Sequence, residues 1–287
     1  MRKLVFTLMV FLAFCGYSFA QNTIEAELQE VLKRNSDEMV SINIILKSQM
    51  DINDLQNRVR GINDKNVRRR VLIDELKLFA EKEQRDILSI LRAEEKGSRV
   101  AEIESRWIAN YINCKASNDV IYLLAKHPDV MMIGYNEEKN LLWNEKAETV
   151  DTSRSGMTEN ITMVNADDAW ELGYTGYGVV VAVIDTGVNY EHVDLADHLW
   201  DGGDEFPNHG YDLYYNDNDP MDMFGHGTHC AGTVSGDGTS GTKTGIAPES
   251  RIMCVKAIGD EGSGTADHIV SGMEWAIDHG ADILSMS

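Results

Sequence analysis

Two short segments of this 287-residue sequence carry an acid and a histidine in settings that suit proton transfer. The run 179–184 is Val-Val-Val-Ala-Val-Ile, and Asp185-Thr186-Gly187 follow it. A run of this kind predicts a strand buried on both faces of a parallel sheet, with Asp185 at its carboxyl end. Segment 225–232, Gly-His-Gly-Thr-His-Cys-Ala-Gly, predicts a glycine-rich turn that opens a closely packed helix, with His226 at its start. An acid and a histidine so placed are two members of an acid–base–nucleophile set.

Other readings of these residues exist. An acid at a strand end often caps the next turn or binds a ribose hydroxyl, but here the glycine-rich turn precedes the strand, whereas a phosphate loop would follow it. His226 and His229 resemble metal ligands, yet their i, i+3 spacing without an intervening acid fits a zinc protease helix poorly. Cys230 is a potential nucleophile, although a small buried thiol packing the helix on the sheet is the favoured interpretation.

Charge divides the sequence into two different halves. Residues 151–287 hold 4 Lys and Arg against 24 Asp and Glu, and so carry nearly all of the net charge of −21. Such an acidic half argues against nucleic-acid binding, because phosphates would be repelled. Solubility is the simplest reason for the acidity.

The amino terminus predicts export. Arg2 and Lys3 precede an apolar run, and Ser18-Phe19-Ala20 offers a small-x-small cleavage site before Gln21. This is the pattern of a secretory signal peptide over 1–20, too short for a membrane span, so we expect a secreted protein with no membrane association after its removal. The four cysteines do not suggest a disulfide framework.

Residues 21–148 predict a small α+β domain. The pattern indicates a polar, loosely attached helix over 22–38, and then a strand at 40–46 and a solvated helix over 66–93. It also indicates a strand over 106–115, a short helix to Lys126 and a last strand over 129–135. Residues 149–160 read as an exposed, cleavable linker, and we expect proteolytic processing within 143–158.

Several motifs then resemble one family in order along the chain. They are the segments 165–170, 173–178, 181–187 and 225–232, Gly-Ile-Ala-Pro at 245–248, the strand 251–258, Gly-Ser-Gly at 262–264, the helix 265–280 and a strand from Asp282. Together they are similar to the catalytic domain of subtilases, the subtilisin-like serine proteases, over 161–287. Segments 41–47, 107–117 and 123–130 look like the inhibitor-type propeptide of the same family.

The resemblance implies a fold and a function. The fold is α/β, a subtilisin-like parallel sheet flanked by helices, preceded by the small α+β propeptide. The function is hydrolysis of peptide bonds in protein or peptide substrates by an Asp-His-Ser triad, with Asp185 and His226 as the acid and the base. The propeptide would act as an intramolecular inhibitor and chaperone. An edge strand that pairs with the substrate backbone would be formed by Gly262, Ser263 and Gly264. Without the resemblance, these residues would predict a plain turn.

No cofactor is expected for catalysis, and structural calcium is a weaker prediction. Asp194 stands where some subtilases bind calcium, although Val193 replaces the family's usual proline. The loop 201–222 is rich in Asp and Asn, which suits calcium, but its spacing favours a solvated loop.

The resemblance places the nucleophilic serine and the oxyanion-hole asparagine beyond Ser287. Ser285 and Ser287 are strand residues without the Gly-x-Ser turn of a nucleophile. The sequence therefore reads as the front part of a precursor, truncated at its carboxyl end and inactive by itself. The alternative is a non-enzymatic, secreted binding or decoy protein that keeps the domain without its nucleophile.

Overall fold

The structure is a computed structural model that describes residues 23–34, 38–142 and 156–287. The predicted signal peptide lies outside these ranges, and so do residues 149–155 of the predicted linker. The chain divides into two compact units, Met1–Asn136 and Glu137–Ser287. Each is described separately below.

The first unit is a four-stranded antiparallel sheet with helices packed on it, ordered β2-β3-β1-β4. Strand β1 is buried at Ile42 and Ile44, and α3 packs Ile87 and Leu91 into the same core. The elements are α1 (Ala26–Arg34), β1 (Val40–Leu46), α2 (Ile52–Val59), α3 (Lys65–Glu95), β2 (Val100–Arg106), β3 (Tyr111–Ala116), α4 (Asn118–Leu124) and β4 (Val130–Tyr135).

Three details of this unit differ from the sequence prediction. The single strand expected over 106–115 is wrong, because 107–110 form a turn that separates β2 from β3. Helix α2 was not predicted. Helix α1 is firmly attached rather than loose, since its Leu28 and Leu32 are buried in the core.

The second unit contains a parallel sheet, with the order β12-β7-β10-β8. The elements are β5 (Lys139–Asn140), β6 (Gly156–Met157), α5 (Glu159–Met163), α6 (Ala166–Glu171), β7 (Val180–Asp185), β8 (Gly210–Asp212), α7 (His226–Ser235), β9 (Thr242–Lys243), β10 (Arg251–Lys256), β11 (Ser263–Gly264), α8 (Ala266–Asp278) and β12 (Ile283–Ser285).

Strand β7 has the position that its residues predict. It lies between β12 and β10, and all of its residues except Val180 are buried. Asp185 and Lys256 are register partners at the carboxyl ends of β7 and β10. Helix α8 begins after a capping box, in which Thr265 Oγ1 accepts a hydrogen bond from the His268 amide at 3.2 Å. The α/β fold predicted for this half is confirmed.

The loop 201–222 is more ordered than the solvated loop predicted from its composition. Its residues Gly210–Asp212 form β8, which pairs in parallel with β10, and Asp212 is buried. A strand of three residues is too short to show an alternating pattern in a segment rich in Asp and Asn. Of the helices in the described ranges, none has both the length and the apolarity needed to cross a membrane.

Candidate active site

The acid of the site is fully buried at the carboxyl end of β7. Asp185 has 0 % of its surface exposed, and its Oδ1 accepts hydrogen bonds from the Thr186 amide at 2.8 Å and from His226 Nδ1 at 2.7 Å. Its Oδ2 is buried without a hydrogen-bond partner among the described residues. One oxygen of the carboxylate therefore faces the imidazole, and burial keeps water away from the carboxylate.

His226 is the first residue of α7, as predicted, and its side chain is 31 % exposed. Gly225 precedes it with a φ of 101°, a left-handed conformation that glycine adopts without strain. A carboxylate only accepts hydrogen bonds, so His226 Nδ1 carries the proton that it shares with Asp185. The lone pair of the neutral ring is then on Nε2, the nitrogen that a general base would use.

A glycine lets the helix approach the strand closely enough for this contact. A Cβ built at Gly227 would overlap the carbonyl oxygen of Gly187 and come within 3.1 Å of Asp185 Cβ. Any larger residue at 227 would therefore push the first turn of α7 away from the end of β7. The two glycines of Gly-His-Gly thus have different roles: Gly225 allows the turn, and Gly227 allows the close packing.

Asp222 holds the candidate site together, and the sequence did not predict this. Its Oδ1 accepts hydrogen bonds from the amides of Phe224 at 3.0 Å and Gly225 at 2.8 Å and from the Thr186 hydroxyl at 2.9 Å. Its Oδ2 accepts from the amide and the hydroxyl of Thr228, at 2.8 and 2.6 Å. One carboxylate thus satisfies amides at the start of α7 and joins them to the residue after Asp185. An acid four residues before a predicted helix start was the available signal.

Lys256 is a second missed residue, and it is 1 % exposed at the end of β10. Its ammonium donates to the carbonyl oxygens of Thr186 and Met221, both at 3.0 Å, and to Asp260 Oδ1 at 2.5 Å. These three acceptors match the three protons of the ammonium. Lys256 therefore ties the end of β7 to the loop before α7 and to the segment that leads into β11.

Of the predicted edge strand, Ser263 and Gly264 form β11 and Gly262 lies in a bend before it, and a peptide segment of this chain lies against β11. Strand β5 pairs with β11 in antiparallel fashion, Ser263 opposite Asn140 and Gly264 opposite Lys139. Beyond β5, the amides of Leu141 and Leu142 both point to the Gly262 carbonyl oxygen, at 2.9 and 3.3 Å.

The segment that follows β5 packs against the residues just before His226. A Cβ at Gly262 would lie 3.3 Å from Leu142 Cβ and 3.1 Å from Phe224, and Leu142 is buried. Phe224 is two residues before His226. The segment after β5 therefore runs beside the residues that lead into the acid–histidine pair, and β5 and β11 form a two-stranded antiparallel sheet.

Asp194 is buried, and the structure accounts for it without a cation. Its Oδ1 accepts a hydrogen bond from the Ser240 amide at 2.5 Å, and its Oδ2 accepts one from the Ser240 hydroxyl at 2.7 Å. These bonds join the loop after β7 to the loop after α7. Calcium binding at Asp194 stays a prediction.

Cys230 lies one turn after His226, with its Sγ 3.8 Å from His226 Nδ1. Burial raises the pKa of the Cys230 thiol, and the negative charge of Asp185 adds to this effect. A thiol so protonated is a poor nucleophile at neutral pH. Its placement against the core of the sheet agrees with the packing role that the sequence favoured.

Comparison with known proteins gives the family. A profile of the Subtilase family matches residues 176–287. Bacillopeptidase F of Bacillus subtilis (strain 168) is 31 % identical over 223 residues, which are 73 % of this chain and 16 % of that protein. The minor extracellular protease Vpr of the same strain is 39 % identical over 140 residues, 46 % of this chain and 16 % of that protein. The thermophilic serine proteinase of Bacillus sp. (strain AK1) is 32 % identical over 203 residues, 69 % of this chain and 49 % of that protein.

The chain therefore spans less than half of the length of each of these relatives. The matched region contains the buried Asp185, the imidazole of His226 and the β11 edge. Through this region the chain belongs to the subtilase family of serine proteases.

Proposed function

We propose that the protein is a secreted serine endopeptidase precursor in which Asp185 and His226 are the acid and the base of an Asp-His-Ser triad. The observation that carries this proposal is the 2.7 Å hydrogen bond from His226 Nδ1 to the fully buried Asp185. The bond fixes the tautomer with Nε2 as the base nitrogen, and the carboxylate stabilises the imidazolium that forms when Nε2 takes a proton. The membership of the chain in a serine protease family supports the same roles.

The proposal assigns the remaining groups to sequence after Ser287. A serine hydroxyl there would lose its proton to His226 Nε2 and attack the peptide carbonyl. His226 would give that proton to the departing amine as the peptide bond breaks, and water would then hydrolyse the acyl-enzyme with His226 again as the base. An asparagine amide would stabilise the oxyanion. The protein substrate would be held by main-chain pairing with Ser263 and Gly264.

The pairing of β5 with β11 supports inhibition by the chain itself. Residues 139–142 occupy the edge that a substrate would use, so the precursor would block its own substrate groove. Residues 21–148, which include β5, would then be the propeptide, released by a cut within 143–158. Secretion is supported by the signal-like sequence 1–20 and by the extracellular relative among the similar proteins.

The test uses protein expressed from the complete coding sequence. It should label with a fluorophosphonate serine probe and hydrolyse casein, and Asp185→Asn should lower turnover by roughly 10⁴ because the imidazole tautomer is lost. His226→Ala should abolish both signals while circular dichroism stays unchanged. A complete protein that folds but never labels would instead support the binding-protein alternative.

A separate measurement addresses processing. Amino-terminal sequencing of the mature enzyme should give a start within 143–158, and the catalytically inactive His226→Ala variant should stay uncut if the cut is autocatalytic. A mature start downstream of Val164 would contradict the proposed release of the propeptide.

A further inference from the structure

Three possible metal ligands lie together away from the acid–histidine pair, at Asp197, His198 and Asp237. One oxygen of each carboxylate and one ring nitrogen of His198 are all within 4.8 Å of one another. Asp197 and His198 belong to the loop after β7, and Asp237 follows the carboxyl end of α7 by two residues. The cluster thus joins two loops that are far apart in sequence.

The hydrogen bonds of His198 define the state of its ring. Its Nε2 is 2.9 Å from the carbonyl oxygen of Ser235, the last residue of α7. A carbonyl can only accept, so Nε2 carries the proton. In a neutral ring Nδ1 is then unprotonated, yet it lies 2.6 Å from Asp197 Oδ1, another group that can only accept. The ring is 8 % exposed. The contact has the length of a hydrogen bond, and an ion bound to both atoms would take the place of the bridging proton once the exposed Asp197 side chain moved outward, because zinc ligands lie about 2.0 Å from the metal.

The surroundings favour a metal ion. A histidine that binds a metal through one ring nitrogen almost always donates its other N–H to a carboxylate or a backbone carbonyl, as His198 does to Ser235. Asp237 supplies a second carboxylate, and each of its oxygens accepts one hydrogen bond from the described part of the chain, from Thr239 at 2.9 and 2.8 Å. The backbone that carries Asp197 is held by Arg251, whose Nη1 donates to the carbonyl oxygens of Asp197 at 3.2 Å and Leu199 at 3.4 Å.

We propose that Asp197, His198 Nδ1 and Asp237 bind one divalent transition-metal ion, with Zn²⁺ as the best match. One imidazole and two carboxylates form a mixed nitrogen and oxygen set that suits zinc, whereas calcium prefers oxygen ligands alone. Asp197 has a side chain that is 75 % exposed, so water can complete the coordination sphere and the ion can enter from solvent.

The site would act on the fold rather than on the chemistry. His226 begins α7 and Ser235 ends it, so the ion would fix the end of the helix that is opposite to the imidazole. It would also connect the loop that carries Asp194 to the loop that carries Ser240, which the Asp194–Ser240 hydrogen bonds already join.

The experiment must separate this site from Asp185, His226 and Cys230, whose ligand atoms also lie within 4.8 Å of one another. All titrations therefore use the full chain with Cys230→Ala, stripped of metal with a chelator. Isothermal calorimetry with Zn²⁺ should give one equivalent at this site and a higher melting temperature at saturation. In the same background, Asp237→Asn and His198→Asn should each lower the zinc affinity roughly tenfold or more. Asp204→Asn is the matched control at an exposed acid of the neighbouring loop.

Nitrogen NMR of His198 gives an independent readout. Addition of Zn²⁺ should shift the Nδ1 resonance as that nitrogen binds the ion, while Nε2 keeps the proton that it donates to the Ser235 carbonyl oxygen. Zinc affinity that is equal in the parent, Asp237→Asn and His198→Asn proteins would overturn the proposal, because the ion would then lie elsewhere. An Nδ1 resonance of His198 that stays unchanged at saturating Zn²⁺ would also overturn it.

Discussion

The Thr186 hydroxyl donates a hydrogen bond to Asp222 Oδ1 at 2.9 Å and accepts one from the Gly227 amide at 3.0 Å. Thr186 is the neighbour of Asp185, and Gly227 is the neighbour of His226. The acid and the histidine are thus joined twice, once through their own side chains and once through the residues beside them. Asp222 adds to the second connection, because it accepts hydrogen bonds from both the strand end and the helix start.

Replacement of Asp222 by alanine should loosen this connection. The amides of Phe224, Gly225 and Thr228 would lose their acceptor, and loss of a helix cap alone costs up to about 2 kcal/mol of unfolding free energy. In the complete enzyme, turnover should fall as well, because the position of His226 relative to Asp185 would be less well defined. Chemical denaturation and peptide hydrolysis measure the two effects. Asp204→Ala, at an exposed acid, should change stability by less than about 0.5 kcal/mol, and an equal loss in both variants would contradict the capping role.

Lys256 is the second residue on which the site depends, and Lys256→Met tests it. The change leaves the carbonyls of Thr186 and Met221 and the carboxylate of Asp260 without their donor. We expect a loss of about 3 kcal/mol of unfolding free energy, since buried acceptors would be left unpaired. Lys243→Met is the control, because the Lys243 ammonium lies 5.0 Å from the centre of the Trp170 ring and such a contact contributes about 1 kcal/mol or less. A Lys256→Met protein as stable as its Lys243→Met control would show that the ammonium does not hold these segments.

The sequence predicted the acid–histidine pair because both residues carry a local signal. Asp185 follows a long β-branched run, and His226 follows a glycine that starts a helix, so chain-local patterns are enough to place them. Lys256 carries no such signal, and Asp222 carries only a weak one, its place four residues before a helix start. Asp222 contacts the end of β7 from the loop before α7, and Lys256 contacts that loop and the end of β7 from β10. These segments come together only when the sheet folds.

The same distinction explains the fold elements that were missed. The turn between β2 and β3 contains neither glycine nor proline, and it is made by Asn110 with a φ of 42°, a conformation that asparagine tolerates better than most residues. Strand β8 has only three residues, and its place beside β10 is allowed by Gly210, where a Cβ would overlap the carbonyl of Cys254. Both are decided by contacts between strands rather than by periodicity.

Cysteine labelling should follow the burial of the thiols. Burial raises the pKa of Cys230, so less thiolate is present at neutral pH than in an unfolded chain. Iodoacetamide should therefore alkylate Cys230 more slowly than a cysteine peptide at pH 7, and the rate should keep rising above the pH at which the peptide levels off. Burial also raises the pKa of Cys114, to about 12, so Cys114 should label only after unfolding. Peptide mass spectrometry resolves the sites, and labelling of Cys230 at pH 7 that is faster than the peptide would refute this expectation.

Asp212 gives the last prediction, a pH dependence of stability. Burial raises the pKa of Asp212 from its ordinary value of 3.8 to about 6, although the amides of Tyr215 and Tyr214 and the charge of Lys256 oppose the shift. Between these two pH values the unfolded chain loses the proton while the folded chain keeps it. The folded state is therefore favoured by the protonated acid at low pH, and this advantage is lost as the pH rises to about 6.

Asp212→Asn keeps the shape of the protonated acid at every pH. The amide can change the unfolding free energy by itself, but by the same amount at every pH. We therefore measure the difference in unfolding free energy between variant and parent at pH 7.5 and at pH 4, and compare the two differences. We expect this comparison to favour the variant by about 2 kcal/mol at the higher pH. Asp204→Asn, at an exposed acid, should show no such change between the two pH values. A parent protein that gains stability over Asp212→Asn as the pH rises would mean that the carboxylate is needed in its charged form, held by the Tyr214 and Tyr215 amides at 2.8 Å each.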